Sequence, residues 1–225
     1  MDKVDLNEKS FALSQNPQIH VRNQRGYLLC KRILDVSFSL LALLLIGPFI
    51  LLLALVIFID DPHGSPFFTQ PRVGYHGREF KFYKLRSMVC NAEDLVPNLR
   101  EQNEMDGPAF KIEDDPRITR LGRFIRKCSI DELPQFINVL KGDMSVVGPR
   151  PPLPREVAEY TPYQMQRLSV RPGLTCIWQT QPRRNEMSFD KWVELDMKYI
   201  QSRSFLLDLK LVLKTVYVMF CGEGR

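Results

Sequence analysis

The chain has 225 residues, a net charge of +5 and 44% hydrophobic residues. This size suits one domain, or a membrane element plus one compact domain, and the apolar content excludes a polytopic membrane protein. The basic balance favours an anionic partner such as nucleic acid, an anionic leaflet or a phosphorylated substrate, although it also suits an ordinary soluble surface. The five cysteines are scattered and lack zinc-ligand spacing, so we expect reduced thiols in a cytoplasmic compartment.

The chain opens with a polar arm, residues 1–26, which lacks a secretory signal and which we expect to be flexible. A helix is predicted over residues 27–61, and from Val36 to Ile59 it carries no charged side chain. A helix of this uncharged run would be about 36 Å long, which is enough to cross the roughly 30 Å hydrocarbon core. A plain transmembrane helix is therefore one interpretation.

Gly47 and Pro48, near the middle of the apolar run, favour a different interpretation. Pro48 lacks an N–H and clashes with the preceding turn, so it should kink or break the helix. Each half would then be roughly 17 Å long, which is too short to span. Basic residues precede the run and Asp60 and Asp61 follow it, so a spanning helix would place the rest of the chain outside the cell. We predict a re-entrant helix that turns at Gly47-Pro48 and returns to the cytoplasmic face.

Residues 62–225 are expected to form a compact cytoplasmic domain of the α/β (α+β) class. Alternating apolar residues around Gly74 to Gly77 predict short strands on either side of a turn. Further helices are predicted at 155–169, 188–201 and 204–220. The last of these is strongly apolar but contains lysines, so it suits either a core helix or an amphipathic helix lying in the membrane interface.

The segment Ser129-Ile-Asp131-Glu132 has two interpretations. It fits a capping box, in which Ser129 caps a helix and Glu132 reaches back to it. It also places two carboxylates at a helix start, where phosphate binds readily. An aspartate can attack phosphorus and form an acyl phosphate, provided that cations neutralise the phosphoryl oxygens. Arg126, shortly upstream, is one such cation.

Two rigid turns present further arginines. Arg150 lies in Gly-Pro-Arg-Pro-Pro, where proline fixes the backbone and thus the direction of the guanidinium. Arg171 precedes a second Pro-Gly turn, and Gln179 and Arg183 follow it closely. An amide and several guanidiniums could bind a nucleotide, whereas the neighbouring Trp178 also suits a hydrophobic core.

These segments together resemble the bacterial sugar transferases, the monotopic phosphoglycosyl transferases that begin exopolysaccharide, capsule and O-antigen assembly. The resemblance runs from about residue 27 to the end of the chain, with the motifs in the expected order. The matching strings include FFTQPRVG (67–74), FKFYKLRSM (80–88), SIDELPQFINVLKGDMSVVGPRPPLPREV (129–157) and LSVRPGLTCIWQ (168–179).

The resemblance implies transfer of a sugar 1-phosphate from a UDP-sugar to undecaprenyl phosphate, with release of UMP. It assigns Asp131 as the covalent nucleophile and Mg²⁺ ligand, and Glu132 as its partner carboxylate. It also implies a membrane-lipid environment at the bacterial inner membrane, with the catalytic domain facing the cytoplasm and no nucleic-acid partner. Our candidates for contacts to the diphosphate and the nucleotide are Lys84, Arg86, Arg126, Arg150 and Arg171.

The chain departs from many relatives at Pro182, where they have glycine, and this affects the predicted loop geometry and sugar specificity. Thr175-Cys176 resembles the branch that uses hexose phosphates such as glucose or galactose. Rival hypotheses are a non-catalytic membrane adaptor that binds anionic lipid through an arginine stripe at 117–126, a DNA-binding domain, and a direct transfer without a covalent intermediate. The sequence leaves a homo-oligomer open.

Overall fold

The computed structural model describes residues 19, 24–110, 112, 114–182 and 184–220. Most of the predicted arm at 1–26, and Arg183, lie outside the described residues. The described chain mixes helices with two small sheets, which confirms the predicted mixed class. Its four described cysteines are free, as expected.

The first helix, α1, spans Arg25–Asp60 and is long and apolar enough to cross a membrane. The predicted break at Gly47 and Pro48 is wrong as a description of secondary structure, because the helix continues through both residues. The missing N–H of Pro48 removes one hydrogen bond, and the turns on either side keep theirs. The path of this helix relative to a membrane stays a prediction.

Both ends of α1 contact the rest of the chain. Near its start, Arg32 donates to the carbonyl oxygens of Val139 at 2.6 Å and Leu140 at 2.8 Å. Towards its end, Ile57 packs in a buried cluster with Leu85 and other apolar side chains. Between these contacts the helix exposes a series of large apolar side chains to its surroundings: Leu40, Leu41, Leu44, Leu45, Phe49, Leu51 and Leu52.

The predicted strand pair is confirmed. Strand β1 (Phe67–Val73) and strand β2 (Glu79–Leu85) are antiparallel, and the turn between them contains a short 3₁₀ helix at Tyr75–Gly77. In β2, Phe82 and Leu85 are both buried, in two different apolar clusters on opposite faces of the strand, while Lys81 is exposed. The two-residue period of a strand places Lys84 on the face of Phe82 and opposite to Lys81.

Helix α2 spans Arg120–Lys127, a 3₁₀ helix follows at Ile130–Gln135, and α3 spans Phe136–Lys141. Gly142, at a positive φ of 87°, then ends α3. In α3, Asn138 is fully buried and joins this region to β2. Its side chain accepts from the Tyr83 N–H at 3.1 Å and donates to the Lys81 carbonyl oxygen at 2.6 Å.

A second sheet pairs β3 (Ser145–Val147) with β4 (Gly173–Thr175) in parallel. The chain between them forms α4 (Pro154–Ala158), α5 (Pro162–Met165) and a 3₁₀ helix at Gln166–Ser169. The predicted single helix at 155–169 is therefore three short pieces, because Pro154 and Pro162 each begin a new helix at its first turn.

The last described elements are α6 (Phe189–Ser202) and α7 (Phe205–Phe220), close to the predicted bounds. Helix α7 buries Leu211 and Val218, while its other face exposes apolar side chains, so it is neither wholly a core helix nor wholly a surface one. Asp208 of α7 meets the start of α1. It accepts from the Tyr27 hydroxyl at 2.7 Å and pairs with Lys31 at 2.8 Å.

Candidate active site

The two carboxylates of the predicted site lie in the 3₁₀ helix that follows α2. Ser129 has a left-handed backbone with φ of 55° and makes no side-chain cap, so the capping-box interpretation is wrong. The left-handed residue instead turns the chain sharply between α2 and the 3₁₀ helix. Asp131 is consequently buried, with 5% of its surface exposed, and Glu132 lies beside it.

Lys84 links the two carboxylates. Its ammonium lies 3.3 Å from Asp131 Oδ2 and 2.9 Å from Glu132 Oε1. Strand β2 presents this lysine, and Asn138 fixes β2 against the segment that carries the carboxylates. A predicted site residue far from the dyad in sequence is thus brought directly onto it.

Arg150 reaches the dyad from the opposite direction, with Nη1 3.4 Å from Glu132 Oε1. The rigid turn that carries it is held by β1. The Val73 N–H donates to the Pro152 carbonyl oxygen at 2.9 Å, and Arg72 Nη1 donates to that of Pro151 at 3.0 Å. The predicted role of proline in aiming this guanidinium therefore has a structural basis.

Arg72 is a site residue that sequence reasoning missed. Burial, with Arg150 nearby, lowers the pKa of Arg72 to about 10. Its positive charge also faces Glu132. A basic residue in the FFTQPRVG motif was visible in the sequence, but its proximity to the dyad depends on the pairing of β1 with the Pro-rich turn.

Arg126, at the end of α2, is the third predicted cation at the site. Burial lowers the pKa of Arg126, while Asp131 and Asp115 oppose that shift. It supplies positive charge to Asp131 without a direct hydrogen bond to that carboxylate in the described structure. Cations therefore approach the dyad from α2, β2 and the turn after β3.

The two carboxylates differ electrostatically. Burial and the adjacent Glu132 raise the pKa of Asp131, against the influence of Lys84 and Arg126. Burial would also raise the pKa of Glu132, but Lys84 and Arg150 outweigh it, and the pKa of Glu132 is lowered. Glu132 is thus the more readily ionised member of the pair, and it contacts both Lys84 and Arg150.

The remaining predicted site residues lie elsewhere. Arg86 pairs with Asp61 at 3.2 Å and also donates to the Asp61 carbonyl oxygen at the end of α1. Gln179 accepts from the Cys176 thiol at 3.1 Å, so its amide is engaged within its own turn. Arg171 lines a separate cavity, and Arg183 lies outside the described residues. The structure therefore unites Lys84, Arg126 and Arg150 with the dyad, but not Arg86, Gln179 or Arg171.

The donor set at the dyad consists of oxygens, as Mg²⁺ requires. Within the described ranges no cluster of three or more His, Cys, Asp or Glu side chains could hold a metal by itself. Mg²⁺ is commonly bound through one or two carboxylates together with substrate phosphates, so two adjacent carboxylates fit such a metal only with a phosphate ligand present.

Comparison with known proteins identifies the family of this chain. The model of the family described as "Bacterial sugar transferase" matches residues 26–222. The chain is 48% identical to the galactosyl transferase CpsE of Streptococcus agalactiae over 88% of its own length and 44% of that protein's. It is 39% identical to the exopolysaccharide production protein ExoY of Sinorhizobium fredii, over 86% of this chain and 87% of ExoY.

A third relative is the undecaprenyl-phosphate galactose phosphotransferase of Salmonella typhimurium. It is 38% identical over 86% of this chain and 41% of the relative. This chain thus spans less than half the length of CpsE and of the Salmonella protein, and most of the length of ExoY. Taken with the family match over nearly the whole chain, these identities show that the protein belongs to the bacterial sugar transferase family of enzymes.

Proposed function

We propose that this protein transfers a sugar 1-phosphate from a UDP-sugar to undecaprenyl phosphate and releases UMP. The observation that supports this most directly is the buried Asp131-Glu132 pair with Lys84 within 3.3 Å of both carboxylates. The name of the Salmonella relative, an undecaprenyl-phosphate galactose phosphotransferase, supports the acceptor and the transfer of a sugar phosphate, and the UDP-sugar donor follows from the family resemblance. The same name and that of CpsE favour galactose as the sugar.

In the proposed first step, a carboxylate oxygen of Asp131 attacks the phosphorus that bears the sugar. A bond forms between that oxygen and the phosphorus, and the bond from the phosphorus to the bridging oxygen breaks. UMP leaves with the bridging oxygen and its electron pair. In the second step, a phosphate oxygen of undecaprenyl phosphate attacks the same phosphorus, and the Asp131 carboxylate is released unchanged.

The charges at the site suit this chemistry. A phosphoryl group in transfer carries negative charge on its equatorial oxygens, which fixed cations stabilise. Lys84, Arg126 and Arg150 provide such cations, and Arg72 adds a fourth within the electrostatic reach of Glu132. A Mg²⁺ ion, held by Asp131 and the diphosphate, would neutralise further charge on the donor.

The raised pKa of Asp131 is compatible with a nucleophile in a pocket from which water is excluded. Removing solvent from a carboxylate makes it more reactive, provided that nearby cations keep a sufficient fraction ionised. Lys84 and Arg126 lower the pKa of Asp131 and so perform that role. Glu132 then serves to position Lys84 and Arg150, both of which contact it.

We further propose that α1 stays helical but bends at Gly47-Pro48, so that it enters the cytoplasmic leaflet and returns rather than crossing it. Arg32 near its start and Ile57 near its end both contact the folded body, while one face of the helix between them exposes large apolar side chains such as Leu44 and Leu45. A spanning helix would place its two ends on opposite sides of a roughly 30 Å hydrocarbon core. Contacts at both ends with one body support a re-entrant path.

The test is UMP release by purified protein in detergent, with undecaprenyl phosphate, Mg²⁺ and a panel of UDP-sugars that includes UDP-galactose. We expect release with the cognate donor and its loss in Asp131→Asn, together with loss of radiolabel carried on the protein from donor labelled in the sugar. Asp94→Asn, an exposed carboxylate outside the site, is the matched control and should retain activity. Full activity in folded Asp131→Asn would exclude the aspartyl intermediate.

A further inference from the structure

A separate cavity lies between the start of α1, strand β3 and the end of α6. Its volume is about 410 Å³, within the range of ordinary ligand sites. Four of the side chains that line it are cationic and one is a carboxylate: Lys31, Arg32, Arg171, Arg203 and Asp35. The cavity lining shares no residue with the hydrogen-bond and ion-pair partners given above for Asp131 and Glu132.

The charges in this cavity do not cancel. Lys31 is paired with Asp208 at 2.8 Å. Asp35 accepts the Val146 N–H at 3.0 Å and so is directed at the backbone. Arg32 donates to neutral carbonyl oxygens and therefore keeps its full charge. The cavity thus has a surplus of positive charge even after Asp35 and Asp208 are counted.

Two hydroxyl groups provide an independent sign of a ligand. Ser145 and Ser169 both line the cavity, and their oxygens are buried without a hydrogen-bond partner among the described residues. Ser145 is 1% exposed. Buried hydroxyls are normally paired, so a group that occupies the cavity would supply the missing hydrogen bonds. Phosphate oxygens would accept from both hydroxyls and from the guanidiniums.

The strand β3 separates this cavity from the dyad. Ser145 begins β3 and lines the cavity, whereas Arg150 follows the end of β3 and contacts Glu132. Five residues of extended chain span up to about 17 Å. A ligand in the cavity would therefore be connected to the dyad by the backbone of β3, but it would not occupy the site of the dyad.

The apolar side chains around the cavity indicate which kind of phosphate compound it binds. Leu28 at its edge is 39% exposed, Leu29 beside it is 64% exposed, and Leu206 at the start of α7 is 75% exposed. Tyr27 and Lys31 join the two helix starts through Asp208. Apolar side chains next to a basic pocket are the arrangement that holds a lipid, with the headgroup in the pocket and the acyl chains outside.

We propose that this cavity binds the phosphate headgroup of an anionic membrane phospholipid. Arg171 and the hydroxyls of Ser145 and Ser169 contact the phosphate, and the acyl chains lie along the exposed starts of α1 and α7. This inference rests on the proposed membrane location of α1. The bound lipid would fix the depth of the body at the leaflet, and with it the height of the dyad.

The test uses the full chain in nonionic detergent, titrated with dihexanoyl phosphatidylglycerol, dihexanoyl phosphatidylcholine and inorganic phosphate, with Kd measured by calorimetry. We expect saturable binding of the phosphatidylglycerol that is at least about tenfold tighter than that of the other two. Arg171→Gln should weaken it about tenfold, which corresponds to about 1.4 kcal/mol, and Ser169→Ala several-fold. Arg123→Gln, which removes an equally exposed arginine from α2, is the matched control and should change Kd less than twofold.

If Arg171→Gln and Arg123→Gln weaken lipid binding equally, the binding reflects only general charge attraction, and the proposal is overturned. If inorganic phosphate binds as tightly as the lipid, the cavity is a site for free phosphate. If undecaprenyl phosphate competes with the lipid, the cavity is a site for the acceptor. Either result overturns the assignment to a phospholipid. UMP release is measured on the same samples. Lipid binding without UMP release refutes the proposed reaction alone, and UMP release without lipid binding refutes this inference alone.

Discussion

At the scale of single residues, some side chains of the site could be predicted from the sequence. The proximity of others to the dyad could not. Asp131 and Glu132 could be predicted because two adjacent carboxylates beside arginines are a recognisable motif. The proximity of Lys84 depends on the bonds that Asn138 makes to β2. The separation of Arg86 and Arg171 from the dyad depends on how α1 and β4 pack. Such long-range packing has no local signal in sequence.

Replacing Lys84 by methionine should lower the rate of UMP release about 100-fold, the usual effect of removing one electrostatic contact from a transition state. Lys84 lowers the pKa of both carboxylates. Its loss raises the pKa of Asp131, so the acidic limb of the pH–rate profile should move to higher pH. Measurements of the rate across the acidic and neutral pH range check both effects.

Lys84→Arg, which keeps the charge, should recover part of the rate and should return the acidic limb towards its original position. Lys81→Met is the matched control, because Lys81 lies on the same strand but is exposed on the other face. A Lys84→Met enzyme with an unchanged pH profile would contradict the assigned role of this lysine.

Asp196 gives a pH dependence of stability that is separate from catalysis. It is fully buried and accepts from Arg167 at 2.9 Å and 2.7 Å. Burial raises the pKa of Asp196 from 3.8 to about 6, although Arg167 opposes the shift. Between these values the folded chain keeps a proton that the unfolded chain releases. The stabilising contribution of protonated Asp196 to folding is therefore complete below about pH 4 and is lost as the pH rises through 6.

Asp196→Asn does not titrate at this position, so the stability of wild type relative to this variant should fall by about 2 kcal/mol between about pH 4 and pH 7, since each pKa unit corresponds to about 1.36 kcal/mol and the unfolded chain is already largely ionised at pH 4. Unfolding curves of both proteins at the two pH values check this. A stability difference that is the same at both would contradict the raised pKa.

At the scale of elements, the sequence predicted the β1–β2 pair, α6 and α7 well because each has a clear apolar period and clear boundaries. The prediction from sequence failed at the prolines, whose effect on a helix depends on the neighbouring contacts. Pro48 lies inside a continuous helix, whereas Pro154 and Pro162 begin separate short helices. Proline limits the local backbone, but the neighbouring contacts decide whether a helix ends there.

The parallel pair β3–β4 requires a glycine at 173. A Cβ built there would overlap the backbone of Gly148, because the two strands approach too closely for a side chain. Gly173→Ala should therefore destabilise the fold by about 1–3 kcal/mol, as overpacking does. It should also lower activity, since Gly148 leads into the turn that carries Arg150.

Gly26→Ala is the contrasting variant. Gly26 lies in the first turn of α1, and nothing lies within 4 Å of the position that a Cβ would take there, so alanine should be neutral or slightly stabilising. Thermal unfolding midpoints of the two variants, with UMP release rates, give the comparison. A Gly173→Ala protein as stable as Gly26→Ala would contradict the close approach of the strands.

At the scale of the whole molecule, the re-entrant path of α1 can be tested with native cysteines. Cys30 lies before the uncharged apolar run and Cys90 lies after it, and both are exposed. In a protein whose other cysteines are replaced, both should react with a membrane-impermeant maleimide in inverted vesicles, and neither should react in intact spheroplasts.

Labelling of one cysteine from each side would show instead that α1 spans the membrane. Permeabilised spheroplasts, in which both cysteines should react, control for thiols that are inaccessible for other reasons. The result bears on the acceptor as well, because the proposed reaction requires the dyad and the phosphate of undecaprenyl phosphate to lie on the same side of the membrane.

The contacts of Asp208 also determine when the fold can be completed during translation. Lys31 and Asp208 are separated by 177 positions in the chain. At a synthesis rate of roughly 5–20 residues per second, α1 waits about 9–35 s for this partner. The first helix therefore emerges long before α7 exists to hold it. In the proposed re-entrant arrangement, the membrane would act as its folding partner during this interval, and the rate of translation would set how long the interval lasts.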